Sequence, residues 1–270
     1  MDGSFVTTAR ELERARPLRA RARAVMRRAA LTALALHHRS PAPGLRIVHY
    51  HFVFDDEVAS FRRQLAYFAA EFEPVSLTQA VERLRDGRAT GRELAVTFDD
   101  GFRNQPTNAA PLLREVGFSA CFFLIADLVS ASDGDAARIC RERLHLPGPV
   151  EPLTWDDAAA LLEQGHEVGS HTVTHPNLAQ LEPDDIEREL RASKELIERQ
   201  LEREVAHVSA PYGEVARFSP AISEAARTVG YKSCATAIRG PNRTNDVYAL
   251  HRDHIVAGWP VRDLRYFLSR

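Results

Sequence analysis

Cysteine is scarce in this chain, with only three among its 270 residues. Cys121, Cys140 and Cys234 are widely spaced, so they form neither a disulfide framework nor a C-x-x-C metal pattern. The sequence also lacks any run of roughly 20 apolar residues, the length that a membrane-spanning helix needs. A formal net charge of −2 argues against a nucleic-acid partner bound through an overall basic field. These absences indicate a globular protein of a reducing compartment.

Arginine is unevenly distributed and is concentrated in residues 10–28. The apolar stretch 29–36 follows, and this order is similar to that of a secretory leader, but no small-residue cleavage site comes after it. We therefore expect a cytoplasmic protein rather than a secreted one, with residues 1–40 as a basic N-terminal helical extension. Such a helix could be solvated, pack on the domain, or make peripheral contact with an acidic membrane surface.

Beyond the linker Pro41–Gly44, strand-like and helix-like segments alternate. The short strand candidates, rich in apolar or β-branched residues, are 45–50, 73–76, 93–98, 119–125, 166–169, 205–208 and 232–236. The helix candidates are 57–70, 78–86, 105–116, 155–164, 183–201 and 217–229. This alternation predicts an α/β fold with a parallel sheet, and its length suits a barrel better than an open sheet. Residues 127–150 are predicted to be a long polar loop. It follows the carboxyl end of a strand, so we expect it to overhang an active site formed at that edge of the sheet.

Two motifs carry most of the chemical information. An apolar run ends in Asp99-Asp100-Gly101, and a second short apolar stretch leads to His171 and His175. One carboxylate and two imidazoles are sufficient ligands for a catalytic divalent metal, and the spare carboxylate could act as a base. Alone, the first motif is also typical of a turn, and two histidines four residues apart also occur by chance. Together, after strands of a parallel fold, they favour a metal-dependent hydrolase.

The motifs also resemble a known family. Thr97–Gly101, then His171–Pro176, then Ala210–Gly213 have the order and spacing of the polysaccharide deacetylase (NodB-homology) family of carbohydrate esterases. The resemblance runs from about residue 47 to residue 256. It implies an irregular, incomplete (β/α) barrel as the catalytic domain, residues 45–270. It also implies removal of acetyl groups from N-acetylated sugars or polysaccharides, with an acetylated sugar or glycan as the partner.

Roles for individual residues follow from the same resemblance. The implied metal ligands are Asp100, His171 and His175, and the implied general base is Asp99. The backbone N–H of Tyr212, which follows Pro211, would donate to the oxyanion that forms during acyl transfer. Zinc is the expected metal, although this oxygen and nitrogen donor set also accepts cobalt, nickel or manganese.

The chain departs from the family pattern in three places. The family's fourth motif, an Asp-containing stretch with a tryptophan, is not recognisable, and residues 241–246 followed by Leu250-His251-Arg252 stand in its place. Many members have an arginine shortly before the proline of the third motif, but Ser209 and Ala210 stand here, so no arginine is available locally. The motif that ends in the general-acid histidine has no clean match, which leaves His251 and His254 as candidates; we take His254.

Other side chains also allow two interpretations. His49 and His51 share one side of a strand, so they either line the site or belong to a hydrogen-bonded core. We take His51, with Pro211 and Tyr212, as substrate-binding.

Two alternatives to sugar deacetylation stay open. The same metal centre could hydrolyse a non-sugar amide. The missing motifs could instead indicate a catalytically inactive carbohydrate-binding relative. The second alternative has less support, because both metal motifs are intact, including the base, which a binding module would not require.

Overall fold

The computed structural model describes residues 5–22, 26 and 41–270. The apolar stretch 29–36 and part of the arginine-rich segment lie outside the described residues. Their interpretation, including contact with a membrane and the location of the protein, stays a prediction. No helix among the described residues is long and apolar enough to cross a membrane.

The chain alternates between short strands and helices along most of its length. The strands are β1 (Arg46–Tyr50), β2 (Glu73–Pro74), β3 (Glu93–Phe98), β4 (Ala120–Leu124), β5 (Glu167–Ser170), β6 (His207–Ser209), β7 (Ser233–Ala235) and β8 (Asp253–His254). The α-helices are α1 (Ala9–Arg14), α2 (Val58–Glu71), α3 (Leu77–Arg85), α4 (Ala110–Glu115), α5 (Ala126–Val129), α6 (Asp133–Glu142), α7 (Trp155–Glu163), α8 (Pro183–Leu201), α9 (Pro220–Val229) and α10 (Val261–Leu268).

All pairs between these strands are parallel, in the order β7-β6-β5-β4-β3-β1-β8, with β2 also paired to β3. The sheet curls into a half-barrel with helices around it. No ladder joins β7 to β8 among the described residues, and Ala235 of β7 instead forms an isolated parallel bridge with Leu250, which precedes β8. The prediction of an irregular, incomplete (β/α) barrel is therefore confirmed.

The central strands are buried on both faces, which explains their nearly continuous apolar composition. Every residue of β1, β3 and β4 is buried. Phe98 and Phe122 stack with ring centroids 5.0 Å apart on the side of the sheet that faces the helices. Helix α8 begins at Pro183, whose missing N–H costs nothing in the first turn, and buries one stripe that includes Ile186 and Leu190.

Residues 127–150 do not form the predicted loop, because they contain the end of α5 and all of α6. The Ser132 hydroxyl caps α6 by accepting from the Asp135 N–H. Ala136, Ile139 and Cys140 form its buried face. The prediction of a loop was wrong because it rested on the polar composition of the segment, which is also typical of a short amphipathic helix.

Part of the basic extension packs on the domain. In α1, Leu12 is only 5% exposed and belongs to an apolar cluster with Phe54, Ile139 and Val150. The Asp56 carboxylate accepts hydrogen bonds from two backbone N–H groups at the start of α1. Helix α1 therefore packs on the domain, which is one of the three arrangements considered for the extension.

Candidate active site

The candidate site lies at the carboxyl ends of the parallel strands. Asp99 and Asp100 directly follow β3, and His171 directly follows β5. His254 reaches the same edge because β8 pairs with β1, in a register that places His254 beside His49. Parallel strands end at a common edge, so this connectivity brings residues distant in sequence close together.

Asp100, His171 and His175 bring three potential metal-ligand atoms together. His171 Nε2 lies 3.5 Å from Asp100 Oδ1, and His175 Nε2 lies 3.8 Å from the same oxygen. Asp100 Oδ1 is buried and has no hydrogen-bond partner among the described residues. A buried carboxylate oxygen without a donor is costly, and a divalent cation would satisfy it. This donor set therefore fits a catalytic divalent metal.

Hydrogen bonding sets the orientation of the His171 ring. Its Nδ1 lies 2.8 Å from the Ser209 carbonyl oxygen, so Nδ1 carries the proton and donates it. Nε2, which faces Asp100, then keeps a free lone pair for a metal. Burial, followed by the neighbouring His171 and His51, lowers the pKa of His175, so its ring is neutral at pH 7. Neutral imidazole is the form that binds metals.

The backbone at the site is unusual. Asp100, Thr172, His175 and Tyr212 have φ angles of 75°, 68°, 59° and 54°, in the left-handed region that non-glycine residues rarely adopt. Such residues cost about 1–3 kcal/mol each and persist where the surrounding structure over-determines them. Their concentration here is typical of a functional site.

Asp99 is held by a buried arginine that the sequence motifs did not include. Arg252 Nη1 donates to Asp99 Oδ1 at 2.7 Å, and Nη2 donates to Oδ2 at 2.8 Å. The remaining three N–H groups of this guanidinium donate to Thr97 Oγ1, Ser209 Oγ and the Thr236 carbonyl oxygen. All five donors of the buried guanidinium are therefore satisfied.

The two adjacent carboxyl groups differ in pKa. Burial by itself raises both pKa values. For Asp99, the facing Arg252, followed by His171 and His49, outweighs burial and holds the pKa well below its ordinary range. For Asp100 burial dominates, and the pKa is raised. Asp99 is thus ionised, whereas the groups that lower the pKa of Asp100, His51 and His171 first among them, do not offset its burial. A metal ion would supply further positive charge there.

Three histidine rings form a second cluster in the site. The His254 centroid lies 5.0 Å from that of His49 and 5.3 Å from that of His51. Burial, followed by His51 and Arg239, lowers the pKa of His254 to about 3. His49 and His51 therefore line the site, and the alternative of a hydrogen-bonded core is not favoured, because the buried His49 Nδ1 has no described partner.

Ligand atoms of these three rings also lie within 4.8 Å of one another. Arg252 and Arg239 are the cations next to this cluster, and both lower pKa values within it. Positive charge that disfavours a proton also disfavours a metal ion. The Asp100 group, which includes a carboxylate, is therefore the better fit for a divalent metal.

Of the two late histidines, the structure brings only His254 into this cluster. The neighbouring strand pairing accounts for the difference, since His254 lies in β8, whereas His251 precedes that strand. The backbone of His251 exchanges hydrogen bonds with the Asn242 side chain instead.

Pro211 and Tyr212 lie in a tight turn after β6. Gly213 donates its N–H to the Ala210 carbonyl oxygen at 3.2 Å, which closes the turn. The Tyr212 ring packs edge-on against His175 with centroids 4.9 Å apart, and its hydroxyl donates to the Arg143 carbonyl oxygen at 3.1 Å. The third motif therefore adjoins the metal-ligand group.

The sequence analysis did not predict two contacts at the site, that of Arg252 with Asp99 and that of Glu189 with the segment between His171 and His175. Arg252 belongs to the segment Leu250-His251-Arg252, but no local sequence pattern indicates that its side chain contacts Asp99. Glu189 lies on α8, and one of its oxygens accepts hydrogen bonds from Val173 and Thr174.

Comparison with known proteins gives consistent matches. A family model described as polysaccharide deacetylase matches residues 86–234. YxkH of Bacillus subtilis (strain 168) is 26% identical over 175 residues, which cover 64% of this chain and 55% of that protein. The peptidoglycan-N-acetylglucosamine deacetylase of Bacillus cereus is 27% identical over 124 residues, or 46% of this chain and 37% of that enzyme. The chain thus spans about half the length of these curated relatives, or less.

A solved structure is similar over most of the chain. The Streptococcus pyogenes deacetylase PplD superposes with a TM-score of 0.69 at 22% identity, covering 86% of this chain and 100% of that one. At this level of identity the match shows a shared fold.

Proposed function

Because this chain belongs to the polysaccharide deacetylase family, we propose that it is a metal-dependent hydrolase that removes acetyl groups from N-acetylated sugars or polysaccharides. The observation that carries the proposal is the pairing of two adjacent carboxylates with different surroundings. Asp100 faces two imidazoles with an unpartnered oxygen, while Asp99 is held ionised by Arg252.

Asp100, His171 and His175 would hold the metal, with zinc the expected ion and cobalt, nickel or manganese acceptable to the same donors. A bound divalent ion polarises a carbonyl oxygen and lowers the pKa of a water molecule toward 7. Asp99 would accept the proton of that water. Arg252 makes Asp99 a weak base, and a weak base is sufficient only because the proton donor is itself acidified.

Negative charge that develops on the acyl oxygen would be met by the Tyr212 backbone N–H, in the turn next to His175. His254 would pass to the leaving amine the proton that Asp99 accepts from the water. Its lowered pKa makes the ring neutral in the resting protein. It would therefore gain the proton only as negative charge forms beside it, which fits an acid that acts late in the reaction.

The names of relatives guide the choice of substrate. The Bacillus cereus relative is a peptidoglycan-N-acetylglucosamine deacetylase. A chitooligosaccharide deacetylase of Sinorhizobium fredii is 43% identical over 54 residues, which cover 20% of this chain. Both named substrates contain N-acetylated amino sugars. We propose the same class here, with His51, Pro211 and Tyr212 contacting the sugar.

The test is acetate release from N-acetylglucosamine oligomers by metal-reconstituted protein, with Asp99→Asn as the matched variant. Turnover by the wild type and its loss in a variant that still binds metal would support the proposal. Turnover only on a non-sugar amide would select the alternative hydrolase. Sugar binding without any hydrolysis in metal-loaded protein would indicate the inactive relative.

A further inference from the structure

The segment that carries both proposed histidine ligands, His171–His175, has a strained backbone. Thr172 and His175 both have positive φ angles, so two of its five residues adopt the left-handed conformation. Without contacts from outside the segment, these residues would favour negative φ angles. A change in φ would turn the two imidazole rings away from Asp100. Something outside the segment must therefore hold it.

Every backbone N–H of the segment has a partner. At the two ends, His171 donates to the Leu124 carbonyl oxygen at 2.8 Å, and His175 donates to the Thr172 hydroxyl at 3.0 Å. Thr172 itself donates to Ser170 Oγ, which is 2.7 Å from Ser193 Oγ on α8.

The two central N–H groups both depend on Glu189. Its Oε1 accepts from the Val173 N–H at 3.0 Å, from the Thr174 N–H at 2.6 Å and from the Thr174 hydroxyl at 3.0 Å. Glu189 lies one turn before Ser193 on α8, so the same helix face holds the segment at two points. On the other side, the N–H groups of Ala126 and Asp127 donate to carbonyl oxygens of Thr172 and Val173.

We propose that Glu189 is a positioning residue for the metal centre. Its carboxylate oxygen holds the strained His171–His175 segment in the conformation that turns both imidazoles toward Asp100. This role rests on the proposed function, because it presupposes that these imidazoles bind a metal. Groups that orient metal ligands typically contribute about 10- to 100-fold to metal affinity.

The experiment compares Glu189→Ala with Glu189→Gln. All three hydrogen bonds go to one oxygen, and glutamine retains a carbonyl oxygen in that place. Zinc affinity, measured by competition with a chelator, should fall about 10- to 100-fold in Glu189→Ala and stay within about threefold of wild type in Glu189→Gln. Glu195→Ala, an exposed glutamate on the same helix, is the control and should match wild type.

A second readout needs no metal. In metal-free protein, hydrogen exchange of the Val173 and Thr174 amides should be slow in wild type and Glu189→Gln and fast in Glu189→Ala, with the rest of the fold unchanged. Unchanged zinc affinity in Glu189→Ala, or a glutamine variant as weak as alanine, would overturn the proposal. Unprotected amides in the wild type would also overturn it. Failure of the wild type to bind zinc while the exchange pattern holds would instead count against the proposed function.

Discussion

Arg252 and Asp99 are 153 residues apart in the sequence, yet their side chains form a bidentate pair, with N–O distances of 2.7 and 2.8 Å. Many members of the family have an arginine shortly before the proline of the third motif, where this chain has Ser209 and Ala210. Ser209 takes part in the same arrangement, since its hydroxyl accepts from Arg252. The guanidinium that contacts Asp99 thus comes from a part of the chain far from the third motif.

Replacement of Arg252 by lysine should lower kcat by at least about 100-fold, because a single ammonium group cannot reproduce the two parallel hydrogen bonds that orient the proposed base. Metal content should stay unchanged, since Arg252 does not contact the three proposed ligands. Steady-state deacetylation assays on the variant would measure this. Arg63→Lys, at an exposed position on α2, is the control. Wild-type kcat in Arg252→Lys would contradict the assigned role.

The sequence predicted those parts of the fold and site that have a local pattern. The apolar runs of the central strands and the adjacent carboxylates of Asp99-Asp100 are of this kind. The contact of Arg252 could not be predicted, because its partner Asp99 follows a strand that is distant in the sequence. Strand β8, at two residues, is too short for any periodicity, yet its register places His254 in the site. Helix α6 was not predicted either, because the three apolar residues of its buried face lie within a mostly polar segment.

Glu57 should make the stability of the protein depend on pH. Burial raises its pKa to about 7, while the Phe54 and Gly258 N–H groups partly oppose this. Because the pKa in the folded state exceeds the unfolded value near 4.5, the folded state retains a proton that the unfolded state releases. Stability from this group is therefore present at low pH and is lost as the pH rises through 7.

Glu57→Gln removes this dependence. The free energy of unfolding of the variant, minus that of wild type, should be larger at pH 8 than at pH 5 by about 2 kcal/mol, because wild type alone loses stability over this range. Urea unfolding at both pH values would measure the difference, with the exposed Glu71→Gln as the matched control. A difference between variant and wild type that does not change with pH would be inconsistent with a buried, protonated Glu57.

Two glycine substitutions should have opposite effects on stability. A Cβ at Gly169, in β5, would overlap the Phe123 ring, so Gly169→Ala should destabilise the fold by about 1–3 kcal/mol. A Cβ at Gly134, in α6, would meet nothing within 4 Å, so Gly134→Ala should stabilise by about 0.5–1 kcal/mol. Thermal and urea unfolding would measure both. A Gly169→Ala variant as stable as wild type would show that β5 does not pack this closely on Phe123.

Tyr212→Phe should retain kcat within about fivefold of wild type, because Tyr212 is proposed to act through its backbone N–H. The lost hydroxyl makes one neutral hydrogen bond, to the Arg143 carbonyl oxygen, and such a bond contributes about 1 kcal/mol. Kinetics on an acetylated oligosaccharide would measure the effect. A loss of 100-fold or more would assign the chemistry to the hydroxyl instead.

The central claim is that Asp100, His171 and His175 bind a catalytic metal, and elemental mass spectrometry tests it without any choice of substrate. Purified wild type and His171→Ala would be reconstituted with zinc, desalted and analysed side by side. We predict about one equivalent of metal in the wild type and its loss in the variant. Absence of metal from the wild type, or equal metal in both proteins, would contradict the account.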